Sequence, residues 1–416
     1  MVRQGTPSLV GPAVAGMFGL GLALTSATQL RPGGLPVGPG EVLLALFVGC
    51  GLFAALIFRR LQLSPTLAIF GAFWGLTFAA LSFGWVFGLF VRRSSLESGR
   101  DFLAFGLAAA AVLVAASNRT QLRFAEVSER VFAAASVLLL GALSLLALVG
   151  GGSVGPIAVW YEGLRFRGWA ENPNQLGLLL LPVPAILGRW AAQSAGVRAI
   201  ALIAAMVLSV AFGLATRSDA LLLAWTTMGA GAAFLVWRRA LRDPRPGIFR
   251  GGLIRVVVPL GFIGALLLSF GPLVSFASSR LSEIYEEGGQ GSERIDRWEF
   301  GVSVLESAPI VGFGPGSFSG RNGPYEGHEA HNTPIDWAAS TGFVGLGLLI
   351  ALVVVAVVRA ARRRSYTDLI VLAGLTVFSQ FHYVLRQPLC WFLIFMALAR
   401  PDHPSRDVDI SLGESA

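Results

Sequence analysis

The sequence predicts an all-α integral membrane protein of about twelve transmembrane helices with one large, partly helical extracytoplasmic loop. Composition is the first observation behind this: 54% of the 416 residues are hydrophobic, only 13% are charged, and the mean hydropathy is +0.68. The second is repetition, because apolar runs of roughly 17–25 residues recur along the chain, each long enough to cross about 30 Å of hydrocarbon as a helix. The third is one long polar interruption, 277–334, between the ninth and tenth runs.

In chain order the spans read 9–30, 41–58, 65–90, 102–117, 131–150, 174–188, 198–214, 219–237, 256–276, 335–358, 367–385 and 388–399. The division follows: nine helices in 1–276, a catalytic loop in 277–334, three helices in 335–399 and a cytoplasmic tail in 400–416. The first run also has a signal-peptide alternative ending near Thr25-Ser26-Ala27. Its flank carries only Arg3 and its apolar stretch is long for such a segment, which favours a retained span. Within the loop, Ser292 to Ser307 sets Ile295, Trp298, Val302, Val304 and Leu305 against charged residues, predicting a surface helix that stops before Pro309.

The chain has no lysine, so its basic charge is all arginine, and the net charge of +8 is scattered between spans rather than gathered with aromatics. That distribution reports topology and excludes a nucleic-acid partner. With both termini cytoplasmic, 20 arginines fall on the inner side and 12 on the outer. Most outer ones sit near span ends that can gather around the large loop. Cys50 and Cys390 lie inside apolar runs and read as buried thiols. Asp101, Asp219, Asp336, Glu41 and His382 fall at span ends, which removes the midplane carboxylates and histidines that ion-coupled transporters use.

The loop carries the chemistry-bearing pattern. Ser292-Glu293-Arg294-Ile295-Asp296-Arg297-Trp298 is followed by Pro309-Ile310-Val311-Gly312-Phe313-Gly314-Pro315-Gly316-Ser317-Phe318, then by His331-Asn332, nine residues, Gly342, two residues and Gly345. Arg165-Phe166-Arg167-Gly168 precedes Asn172-Pro173-Asn174 at the sixth span, and Ala215-Thr216-Arg217-Ser218 joins the seventh and eighth. These elements, in this order, resemble the O-antigen ligase and polymerase superfamily, with its Arg-x-x-x-aromatic element, Pro-x-x-Gly-x-Gly turn and H-N-x9-G-x-x-G signature. The 215–218 turn departs from the family's Ser-Arg-Gly pattern but keeps the arginine.

The resemblance implies a multi-pass protein of the bacterial cytoplasmic (inner) membrane with its active site facing the periplasm. It implies transfer of a glycan from undecaprenyl diphosphate to a hydroxyl acceptor, either lipid A-core oligosaccharide or a lipid-linked repeat unit. The residues present suit that chemistry: arginine offers a permanently charged fork to the leaving diphosphate, and a neutral imidazole among arginines suits a general base. Arg294 and Arg217 are the first candidates for the diphosphate and His331 for the base, with His328 as its competitor. Arg167, Arg280, Arg297, Arg321, Asn172, Asn174, His328 and Asp336 are candidates for substrate binding, Asp336 also for orienting a neighbour. For the arginines the competing reading is headgroup contact, for the asparagines a helix cap.

No cofactor is expected. No metal is expected either, since the one Asp-x-Asp pair, Asp407-Val408-Asp409, lies in the cytoplasmic tail. Gly312, Gly314 and Gly316 read as a tight turn, and Gly342 and Gly345 as close helix-packing positions. The alternative of a different class is a non-catalytic flippase or exporter of lipid-linked saccharides, which needs the arginines but not His331.

Overall fold

Thirteen helices among the described residues follow the apolar runs closely. The computed structural model describes residues 11–33, 37–58, 63–91, 98–118, 121–242, 290–318, 320, 324–325 and 328–400. The helices are α1 Pro12–Leu24, α2 Pro39–Phe58, α3 Pro65–Phe90, α4 Ser98–Ala116, α5 Gln121–Val149, α6 Pro173–Leu180, α7 Val183–Ala192, α8 Gly196–Ala215, α9 Asp219–Arg242, α10 Gln290–Ser307, α11 Thr333–Arg362, α12 Tyr366–Ser379 and α13 Pro388–Ala399. The predicted ninth span, 256–276, lies outside the described residues.

Among the described residues, eight helical segments are long and apolar enough to cross a membrane, counting α6 and α7 as one, while α1, α12 and α13 are shorter. The predicted sixth span is therefore broken, at Leu181-Pro182, and the Trp225 indole donates to the freed Leu181 carbonyl at 3.1 Å. The fifth is longer than read, because Arg123 and Arg130 lie in the first turns of α5 and not in a loop. Between α5 and α6 the chain forms two small antiparallel hairpins, β1 Ser153–Val154 with β2 Ile157–Ala158, and β3 Trp160–Tyr161 with β4 Arg165–Phe166.

The core lies around α13. All twelve of its residues are buried, the signature of a helix apolar on every side. Trp391 meets Trp74 at 4.5 Å and Phe73 at 5.3 Å between ring centroids, and Phe392 meets Phe18 at 5.5 Å. Phe18 of α1 also touches Phe47 and Phe124, joining α2 and α5 to the same cluster. Past the end of α13, Arg400 pairs with Asp368 at 3.0 Å and with Glu129 at 3.2 Å. Glu129 also holds Arg189. The charged latch and the residues preceding α13 thus sit at opposite ends of this central post.

The glycine turn 309–316 and α11 form one unit. Gly342 has φ 62° and ψ −165° and interrupts α11, so backbone groups on both sides lose their helical partners. The turn supplies them: Phe313 N–H donates to the Ala339 carbonyl at 3.0 Å, Gly314 N–H to Ser340 at 3.0 Å, Phe343 N–H to Pro309 at 2.7 Å and Val344 N–H to Ile310 at 3.2 Å. The Trp337 indole spans the break to the Gly345 carbonyl at 2.9 Å. Gly342 is thus the break itself as well as a close-packing position, its neighbour being the turn backbone at Ile310 and Val311, and a Cβ at Gly345 would strike the Thr341 side chain of its own helix. The reading of Gly312 and Gly314 as turn glycines holds, with φ of 67° and 84°. The turn in turn rests on α3, where a Cβ on Gly84 or Gly88 would lie 2.7 Å from the backbone of Gly314 or Phe313.

The loop helix ends at Ser307, two residues before Pro309 as expected. It does not lie free: Val304 and Ala308 are buried against Phe313 and Ala339, while Ile295 and Val302 remain exposed.

Candidate active site

A cavity of about 280 Å³ opens at the end of the bundle where the loop, the β-hairpins and the residues before α13 meet. His331, His382, Asn172, Asn174, Glu329 and Arg386 are among its lining side chains, with apolar wall from Leu103, Leu107, Leu178 and Phe378.

His331 is placed by the start of α11. Asn332 is the N-cap, its side-chain oxygen accepting the Ile335 N–H at 3.1 Å, with Pro334 in the first turn. One residue earlier, His331 takes φ 53°, a left-handed conformation uncommon for a residue with a Cβ. Asp336, on the first helical turn and buried, accepts the Ala330 N–H at 3.2 Å, and the Trp298 indole of α10 donates to the Ala330 carbonyl at 3.0 Å. Both contacts fix Ala330, the residue next to His331.

The same cap draws in a second histidine. Asn332 Nδ2 donates to the Gln380 carbonyl at 3.1 Å, the Thr333 hydroxyl donates to the His382 carbonyl at 2.6 Å, and Val384 N–H donates to that hydroxyl at 3.1 Å. His382 is thereby held edge-on to His331, with 5.9 Å between ring centroids and 82° between planes. Burial lowers the pKa of both rings. Arg297 and Arg294 add to the effect at His331, where Glu329 opposes it. His382 is brought down to about 3, with His331, Arg294 and Arg165 adding to burial.

Beneath the histidines lies an ion cluster. Arg386 reaches Asp101 of α4 twice: Nη2 donates to Oδ2 at 3.0 Å, while Nε approaches Oδ1 at 2.7 Å without the alignment of a hydrogen bond. Its Nη1 pairs with Glu329, two residues before His331, and its guanidinium lies over the Tyr383 ring at 4.9 Å. Arg31 and Glu41 form a second pair on the cavity wall at 2.6 Å.

The predicted residues divide among these features. Arg294 and Arg297 on α10 both act electrostatically on His331, and Arg297 pairs loosely with exposed Glu293 at 3.4 Å. Asn172 is the N-cap of α6, accepting Asn174 N–H at 2.8 Å, and Asn174 Oδ1 accepts from Arg165 Nη2 at 3.2 Å; both asparagines line the cavity. Arg165 also donates through Nε to the Thr216 carbonyl at 3.0 Å, tying the hairpin to the 215–218 turn. Arg217 is exposed in that turn with φ 49°, the conformation a glycine would take there with less strain. Arg167 donates to the carbonyls of Ala158 and Glu171 and stacks on Tyr161 at 5.5 Å, contacts that shape the hairpin. His328 is exposed beside His331. Arg280, Arg321 and the Asp407–Asp409 pair lie outside the described residues.

Arg165, Glu329, Arg386 and His382 were missed as site residues by sequence reasoning. His382 is one of only four histidines in the chain, and that scarcity was the available signal.

Comparison with curated protein sequences returns no match. A family model described as O-antigen ligase matches residues 204–350. The matched stretch runs from within α8 to within α11 and contains Arg217, Arg294, His331 and the broken helix. Over that stretch this multi-helix chain is similar to the O-antigen ligase family.

Proposed function

We propose that this protein is a metal-independent glycosyltransferase that moves a glycan from undecaprenyl diphosphate to a hydroxyl acceptor on the outer face of the cytoplasmic membrane. The observation that carries the reading is His331: a half-buried imidazole with lowered pKa, fixed by a helix cap at the edge of a cavity and flanked by the charges of Arg294 and Arg297. In this reading the acceptor hydroxyl gives its proton to the neutral ring as its oxygen bonds to the anomeric carbon. The bond from that carbon to the phosphate oxygen breaks, and the pair of electrons leaves on the diphosphate. Arginine forks stabilise the charge that develops there. The proton then passes from His331 to water or to the departing diphosphate.

The apolar wall from Leu103, Leu107 and Leu178 beside polar loop groups fits a substrate with a lipid tail and a charged head. Lipid A-core oligosaccharide and a lipid-linked repeat unit both offer the required hydroxyl.

Purified protein in liposomes with a polyprenyl-diphosphate-linked glycan tests the assignment. His331→Ala abolishes transfer if the enzyme reading is right; full transfer by this variant overturns it in favour of lipid-linked saccharide export. Arg294 replacement does not discriminate, since both readings need the cation. EDTA leaves the wild-type rate unchanged, and a strong loss would refute metal independence.

A further inference from the structure

We propose that His382 is a positioning residue for His331, a second imidazole that shields the first from water and fixes its plane. The inference rests on the role proposed for His331 in transfer, but the arrangement behind it is geometric.

Three hydrogen bonds run from the two residues after His331 to the segment 380–384. Asn332 Nδ2 binds the Gln380 carbonyl, and the Thr333 hydroxyl bridges the His382 carbonyl and the Val384 N–H. One sequence run, His331-Asn332-Thr333, therefore presents the first imidazole and seats the second against it. The rings meet edge to face at 5.9 Å, and Phe378 closes the other side of His382 at 5.1 Å. Both histidines line the same cavity.

The groups around the pair explain why a shield matters. His331 faces Arg294 and Arg297 of α10, Glu329 and His328 of its own loop, and His382. His382 faces Arg294, Arg165 of the hairpin, and His331. Arg386, Asp101 and Tyr383 lie below, and the Arg31–Glu41 pair and Arg100 lie across the cavity. Glu329 favours the protonated form of His331, but its carboxylate is engaged by Arg386. Burial is the largest influence keeping His331 neutral, and the His382 ring covers part of it. Having itself a pKa near 3, His382 supplies this cover without charge at neutral pH.

The test uses the full-length protein in detergent micelles and does not depend on turnover. Diethyl pyrocarbonate acylates neutral, accessible imidazole, and mass spectrometry reads His331 separately from His328. In His382→Ala, His331 is modified faster at pH 7 and its modification midpoint moves up towards the usual histidine value near 6.5. In His382→Phe, which restores an aromatic cover, rate and midpoint return towards wild type. Below the midpoint, each unit of upward movement lowers the neutral fraction about tenfold. In the transfer assay this appears as an acid limb displaced to higher pH for His382→Ala and not for His382→Phe.

Unchanged His331 reactivity in His382→Ala overturns the inference. So does a Phe variant as perturbed as Ala. If His331→Ala retains full transfer, the transferase reading fails instead, and the reactivity data still decide the shielding. His382→Gln reads the same comparison should Ala fold poorly.

Discussion

Replacing Gly342 by alanine tests the union of the broken helix and the turn. Gly342 has φ 62° and ψ −165°, a region left almost entirely to glycine, and holding another residue there costs about 1–3 kcal/mol. A Cβ would also lie 2.5 Å from the Val311 amide nitrogen and press on the Ile310 carbonyl. The atoms in its way are backbone, themselves held by the Phe343–Pro309 and Val344–Ile310 hydrogen bonds. Forcing a methyl into packed surroundings adds about 1–3 kcal/mol, so the expected loss is about 2–6 kcal/mol against a typical fold stability of about 5–15 kcal/mol. Gly347, five residues along the same helix, is the control. It has helical geometry, and a Cβ there meets nothing within 4 Å. Alanine there should be neutral, or stabilising by up to about 1 kcal/mol. Thermal unfolding of both variants in one detergent should separate them, with a fall of ~5–10 °C for Gly342→Ala and none for Gly347→Ala. Equal melting of Gly342→Ala and wild type would refute the break as a required feature, and an equal fall in both variants would show a general intolerance of alanine in α11.

Acid should destabilise the fold through His382. Its folded pKa near 3 lies below the unfolded value near 6.5, so the unfolded chain takes the proton first as pH falls; the loss begins below about 6.5 and grows towards 3. At pH 5 the separation amounts to about 2 kcal/mol, read as a steeper fall in melting temperature between pH 7.5 and 5 for wild type than for His382→Phe; parallel curves would remove His382 as the cause. Arg165→Ala and Arg167→Ala should part in character. The first removes a cation acting on His382 and the tie to Thr216 and Asn174, and should lower kcat at least about tenfold. The second removes one of the two donors to the Ala158 carbonyl, which Gln29 Nε2 also binds at 3.1 Å, and the donor to the Glu171 carbonyl, and should cost about 0.5–1.5 kcal/mol of stability with kcat nearly kept, as melting and rate measured on the same preparations will tell.

The helices were readable because bilayer thickness imposes a run length on the sequence, and α2, α3, α4 and α8 each fill one such run. α13 shows where that reading stops. Its twelve residues are apolar throughout and look like a short span, yet at 1.5 Å per residue they rise about 18 Å, and every one is buried by protein. Composition alone does not distinguish lipid from protein as the apolar surrounding. The break at Gly342 was hidden for a related reason: the partners of its backbone lie thirty residues upstream in 309–314, and no local propensity encodes that pairing. His331 was legible because the cap that positions it is contiguous, whereas His382 reaches the site through the Thr333 hydroxyl and Arg165 through the Thr216 carbonyl.

The arginines around the cavity differ in the charge they leave for a ligand. Arg386 is held by two carboxylates, those of Asp101 and Glu329, and its burial makes the cluster a structural cross-link between α4, the histidine loop and the residues before α13. A buried cation so paired is costly to pull away towards a diphosphate. Arg31 is likewise matched by Glu41. Arg297 lies over the Tyr325 ring at 5.9 Å and pairs at 3.4 Å with exposed Glu293, a partner in water that a phosphate can outcompete at small cost. Arg165 leans on neutral acceptors, the Thr216 carbonyl and Asn174, which leave its charge unneutralised. The two cations without a buried carboxylate partner thus act one on each ring, Arg297 on His331 and Arg165 on His382. In the proposed reaction these two cations can turn to a diphosphate at the smallest cost, and Asn172 and Gln175 on the cavity wall offer uncharged amides to hydroxyls.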